Sequence, residues 1–239
     1  MPATQLLDCL ATGAISLVGE FTWGSNATFL AQLHCAGEMG SEEIEAVYKP
    51  EKGEQLLWDF PPESLARREV AAYLLSEALG WGLVPPTVYR AEGPLGPGSL
   101  QWRVPHDPQL HYFEFTAEQR EALRPTALFD LLANNADRKG GHILVAEIGF
   151  QLIDQGLCFH VEDKLRTVVW DFRGQPIPSG LLADLQRFKA QFAGLRASLA
   201  GLLSEAEIAA LESRLTHLLH SQTFPQPPED RRAVPYPLV

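Results

Sequence analysis

The sequence is short of cysteine, of basic residues and of long apolar runs, and each shortage removes a class of protein. Its three cysteines, Cys9, Cys35 and Cys158, stand far apart with no CxxC pair. An odd, scattered set argues against a disulfide framework and favours a reducing, cytoplasmic setting. Lys and Arg number 19 against 30 Asp and Glu, for a formal net charge of -11. Basic residues never run beyond the pairs Arg67-Arg68, Arg138-Lys139 and Arg231-Arg232. Nucleic acid and anionic bilayers need clustered cations, so neither is an expected partner. No apolar stretch nears the roughly 20 residues that cross a bilayer. Residues 1–5 lack the basic and apolar regions of a signal peptide. The expectation is a soluble chain without stable membrane association.

What is present suits an ordinary globular protein. The 239 residues are 46% hydrophobic and 21% charged, enough for one two-lobed domain or two small ones with a real core. A short opening helix is predicted over 6–10. Apolar runs at 14–18, 27–33 and 44–49, separated by glycine and polar residues, read as strands of an antiparallel meander. The period then changes. Leu65, Val70, Ala71, Leu74, Leu75, Ala78 and Leu79 recur at helical spacing, with Pro61-Pro62 before them and Gly80 and Gly82 after. Two further strands follow at 86–90 and 99–104. A helix is predicted over 116–133, with Pro125 able to restart it, then a hairpin at 142–145 and 150–154. Helices at 181–199 and 204–219 follow, the second opened by a Ser204/Glu207 capping box. The order divides the chain into a β-rich part at 1–104, a mostly helical part at 105–223 and a proline-rich, extended tail at 224–239.

Transfer of a phosphoryl group from ATP requires a cover for the triphosphate, a cation on its α and β oxygens, carboxylates for metal ions, and a group that positions the attacking hydroxyl. Candidates for each occur in chain order. Residues 19–26 form a glycine-bearing turn in which Gly24, Ser25 and Asn26 could approach phosphates; taken alone, the same residues read first as a plain hairpin turn. Lys49 ends an apolar strand and Glu69 on the next helix can pair with it, although each also suits an exposed surface charge. The strongest segment runs from Asn134 to His142. There Asp137 can orient a hydroxyl proton, and Arg138 or Lys139 can neutralise the transferring phosphate. Asp154, beyond the hairpin and before Gly156, can hold a hard ion such as Mg²⁺. As alternatives, Asp137 can simply cap a turn and Asp154 can simply end a strand. Two other clusters carry less. Cys158-Phe159-His160 suits packing better than zinc, since no second cysteine pair supports it. Lys164, Arg166 and Trp170 read either as recognition of an anionic acceptor or as ordinary surface charge with an aromatic anchor.

The run Asp137-Arg138-x-x-x-His142, followed by Ile153-Asp154-x-Gly156-Leu157-x-Phe159, resembles the phosphatidylinositol 3-/4-kinase-like branch of the kinase fold. It is nearest the type II phosphatidylinositol 4-kinases and bacterial toxin-type serine kinases. From residue 17 to 178 the chain is similar to a bacterial family with those motifs. The resemblance implies an α+β, two-lobed protein-kinase-like fold with a small antiparallel β-rich N-lobe and a mostly helical C-lobe. It also implies Asp137 as the catalytic aspartate, Asp154 as the metal-binding aspartate, Lys49 as the ATP lysine and Glu69 as its partner. The implied reaction is ATP- and metal-dependent phosphorylation of a hydroxyl on a protein or small molecule. A nucleotide-binding pseudokinase and an AMP transferase are the alternatives on the same fold. Where the resembling families end the loop in Asn, this chain has His142, which either ligates the metal and shifts preference toward Mn²⁺ or orders the loop.

Overall fold

The computed structural model describes residues 3–22, 26–37 and 40–239. Gly24 and Ser25 lie outside the described residues. Helix α1 (Ala3–Thr12) precedes strands β1 (Ala14–Phe21), β2 (Thr28–Gly37) and β3 (Gly40–Pro50). After helix α2 (Leu65–Leu79), β4 (Thr87–Arg90) and β5 (Gly98–Trp102) complete an antiparallel sheet of order β1-β2-β3-β5-β4. The two-residue period of a strand places Ala31, Leu33 and Cys35 of β2 on one buried face with Ala46 and Tyr48 of β3. Leu6, Cys9 and Leu10 of α1 cover that face.

This packing corrects the expectation drawn from the cysteine spacing. Cys9 and Cys35 are joined by a disulfide, their Cα atoms 5.3 Å apart, while Cys158 is free and buried. The two cysteines are distant in sequence, but α1 lies directly on β2 and brings them together.

Helix α2 ends at Gly80, whose φ of +73° closes the helix in the left-handed region. The helical stretch over 116–133 forms two helices, the second restarting at Pro125 as the sequence allowed. A Thr116/Gln119 capping box starts α3 (Ala117–Glu121), and Pro125 in the first turn starts α4 (Arg124–Ala133). Strands β6 (Ile143–Ala146) and β7 (Gly149–Leu152) form a separate hairpin. Helix α5 (Ser179–Leu199) pairs with α6 (Glu205–Ser221), and Ser204 and Glu207 make the reciprocal cap of α6. A second core runs from Leu75 and Leu79 of α2 through Leu128 and Phe129 of α4 to Phe188 and Leu211 of the last two helices. The architecture is therefore α+β, a small antiparallel sheet lobe against a larger helical lobe. Among the described residues no helix is long and apolar enough to cross a membrane.

The proline-rich tail is extended but not loose. Its Ala233 carbonyl accepts from the Thr167 amide at 3.1 Å and from the Trp170 indole N–H at 3.0 Å. Farther along, the Leu238 carbonyl accepts from the Gly140 amide at 2.7 Å. The tail thus straps the helical lobe and ends against the loop that carries Asp137.

Candidate active site

Lys49 lies next to the end of β3, opposite Ser99 of β5. Its ammonium donates to Glu69 of α2 and, at 2.8 Å, to Asp154 Oδ1. Glu69 is buried, and its second oxygen accepts from the Gln155 amide at 2.9 Å. One carboxylate therefore links the strand lysine to the residue after Asp154, across the two lobes. Burial opposes the charge on Lys49, but Asp154 and Glu69 outweigh it and raise its pKa. Reciprocally, the Lys49 ammonium holds the Asp154 carboxyl well below the usual range.

Asp154 has φ of +59°, in the left-handed region that non-glycine residues seldom adopt. Its neighbours fix it there. The Ile153 carbonyl accepts from Arg138 Nη1 at 2.9 Å, and the Gln155 side-chain oxygen accepts from Arg138 Nη2 at 2.8 Å. Asp137 is held by an Asx turn in which its amide donates to Asn135 Oδ1 at 2.9 Å. Its carboxylate lies 3.3 Å from Lys139 Nζ. Burial pushes the Asp137 pKa up, with Lys139 pulling the other way.

Lys49, Glu69, Asp137, Lys139, Asp154 and Asn26 all line one cavity of about 130 Å³ between the lobes. Asn26 stands at its edge, where its side-chain oxygen accepts from the Gln55 amide at 2.6 Å.

Arg138 is not among them. It is fully buried, and its Nε donates to both oxygens of Asp130, at 3.0 and 3.3 Å. Asp130 also accepts from the Thr167 hydroxyl at 2.9 Å. Arg138 forms a bridge with Thr167, and neighbouring side chains on extended backbone point to opposite sides. Lys139 therefore faces the cavity while Arg138 faces the core. The expectation that Arg138 fronts a phosphate is corrected by that alternation.

His142 sits behind Asp154, with Nε2 3.5 Å from Oδ2. Burial pushes its pKa down to about 4 against the pull of Asp154, which leaves a neutral ring at pH 7. Its Nδ1 is buried with no partner among the described residues. The donor set fits a hard divalent ion. Asp154 exposes 48% of its side chain and shares the cavity with Asp137, and Mg²⁺ characteristically takes one or two carboxylates and completes its shell with phosphate oxygens and water. Among the described residues no group of three or more His, Cys, Asp or Glu side chains is placed to hold a metal ion.

His160 and Lys164 are taken up in contacts with residues 58–60 and 162. His160 Nε2 lies 2.9 Å from the Asp59 carbonyl and its ring packs edge-on against Phe60. Lys164 lies over the Trp58 ring and pairs with Asp59 and Glu162, at 3.4 and 3.2 Å. Sequence reasoning placed Asn134 at the head of the loop without giving it a role; it ends α4 at φ of +51°. Its side chain then binds the backbone of His160, Glu162 and Lys164.

The chain is 39% identical to Protein Rv2133c of Mycobacterium tuberculosis over 265 residues, spanning 95% of this chain and 93% of the relative. The chain belongs to the Rv2133c family. No protein-family model matches it. Solved structures extend the comparison to the fold of this chain. Hydra Fam20 with sugar aligns with a TM-score of 0.59 at 16% identity, over 92% of this chain and 87% of that one. The Golgi casein kinase with Mn/ADP bound aligns at 0.56 and 15%, over 91% and 74%. The Helicobacter pylori proinflammatory kinase CtkA aligns at 0.52 and 12%, over 90% and 94%. Identities this low establish the fold alone, and the fold is kinase-like.

Proposed function

We propose that the chain is an ATP- and metal-dependent phosphotransferase that acts on a hydroxyl of a protein or small molecule. Its motifs lie nearest the phosphatidylinositol 3-/4-kinase-like branch. The observation that carries the reading is the Glu69–Lys49–Asp154 chain of ion pairs between the lobes, with Asp137 on the same cavity. Lys49 would bind the α and β phosphate oxygens, and Glu69 would hold its ammonium in line. Asp137 would orient the acceptor hydroxyl and take its proton. Burial supports that role, because a raised carboxylate pKa makes a better base. Lys139 would offset charge on the transferring group. Asp154 would hold Mg²⁺ or Mn²⁺, an ion that offsets charge on the phosphate oxygens when bound. His142 would act through Asp154 as a neutral positioning residue. Among the proteins that share the fold, the Golgi casein kinase has been seen with Mn and ADP.

The experiment is incubation with γ- or α-labelled ATP and Mg²⁺ or Mn²⁺, with and without Asp137→Ala and Asp154→Ala. Label transfer from γ only is the expected result. Asp137→Ala should lose transfer but keep nucleotide binding, and Asp154→Ala should lose metal-dependent binding. Transfer from the α position would replace phosphorylation by AMP transfer. Nucleotide binding with no transfer from either position would refute catalysis.

A further inference from the structure

Helices α4 and α6, residues 161–170 and the start of the tail line a second, open-sided cavity of about 460 Å³. Its walls are largely apolar, formed by Leu131, Leu165, Trp170, Leu218 and Pro225. Arg214 of α6 forms part of the wall. Its Nε donates to the Leu132 carbonyl at 2.8 Å and its Nη1 to the His160 carbonyl at 3.3 Å, but Nη2 is buried with no acceptor among the described residues. Asp163, the acid on the same wall, is held by Arg231 at 2.6 Å, and no carboxylate among the described residues lies within ion-pair distance of Arg214. Burial lowers the Arg214 pKa to about 10, so the guanidinium remains charged at pH 7.

A largely desolvated cation with an unused donor costs free energy unless an anion meets it. A guanidinium fork matches a carboxylate in shape and charge. Arg231 also lines the cavity but is engaged with Asp163, which leaves Arg214 as the lining arginine with no carboxylate partner among the described residues. The volume lies within the range of small-ligand sites, roughly 300–1,000 Å³.

We propose that this cavity binds a small carboxylic acid with an aromatic or branched apolar body. The carboxylate meets Arg214, and the body lies between Trp170 and Leu131. The site is separate from the phosphoryl-transfer cleft and does not depend on it.

The test titrates the full chain with benzoate and isovalerate, each beside its neutral amide, and reads tryptophan fluorescence and thermal shift. The acids should bind saturably and at least about tenfold more tightly than the amides. Trp170→Phe should remove the fluorescence response while the thermal shift persists. Arg214→Gln should level acid and amide. Should that variant fail to fold, Ser213→Trp on the exposed rim fills the cavity with Arg214 in place and should abolish binding. Equal affinity for acid and amide, no saturable binding up to the solubility of the acids, or binding unchanged by Ser213→Trp overturns the proposal.

Discussion

Asp130→Asn should cost the fold about 3–5 kcal/mol, because it strips the counterion from a buried guanidinium. Asp130 and Arg138 are both 0% exposed, so water cannot replace the lost charge. The other Arg138 donors are committed to the Ile153 carbonyl and the Gln155 side chain, at 2.9 and 2.8 Å, so the guanidinium cannot swing outward without freeing the backbone on both sides of Asp154. At about 1.4 kcal/mol per factor of ten, the loss is two to nearly four powers of ten in the folding equilibrium. A chain of this length should lose about 2–4 °C of Tm per kcal/mol, or roughly 6–20 °C. Arg138→Met should behave differently with pH. Burial already raises the Asp130 pKa, and loss of Arg138 raises it further. A carboxyl whose folded pKa lies above its unfolded value contributes stability below the unfolded value, and that contribution is lost as pH rises through the folded one. Arg138→Met should therefore be least destabilised near pH 4 and worsen toward neutrality. Urea unfolding of both single variants and the double variant closes the cycle. The double should cost clearly less than the sum. Single costs below about 1 kcal/mol, or strict additivity, would refute the buried-pair account and return Arg138 to the cleft.

Glu207→Gln tests the tie between α2 and α6. Burial works against the Glu207 carboxylate, yet the Ser204 amide and Arg68 outweigh it and depress its pKa; the wild-type advantage in Tm should be present above the unfolded pKa of about 4.3 and vanish as pH falls through the folded value. Cys9→Ser opens a bridge between residues 26 apart in sequence and should cost about 3–4 kcal/mol by loop entropy, read as a urea midpoint under non-reducing conditions. Gly140→Ala would set a Cβ 2.9 Å from the Phe113 ring and 3.4 Å from the Leu238 carbonyl; it should cost about 1–3 kcal/mol and speed amide exchange at residues 138–142, and unchanged exchange would show that the tail does not clamp the loop.

Features carried by single residues were legible in the sequence. Gly80 ends α2, Pro125 begins α4, and the Ser204/Glu207 box begins α6, because each acts on its own turn of backbone. Lys49, Glu69, Asp137 and Asp154 were singled out because they follow one another in the order of a kinase's parts and carry the motif resemblance, whereas each taken alone reads as a surface or turn charge. What escaped depends on pairings distant in sequence. The direction of Arg138 is set by its bridge to Thr167, and the disulfide is set by the seat of α1 on β2. The tail is docked through carbonyls of Ala233 and Leu238, and a backbone carbonyl leaves no mark on composition. One signal could still have corrected Arg138. Asp130 interrupts the run Leu128-Phe129-Asp130-Leu131-Leu132 inside a helix, and an acid among core residues requires a buried donor. The nearest cations beyond that helix are Arg138 and Lys139, and of the two a planar, permanently charged fork is the better buried partner. The same reasoning leaves Lys139, the more strongly hydrated cation, facing the cleft, where the structure has it.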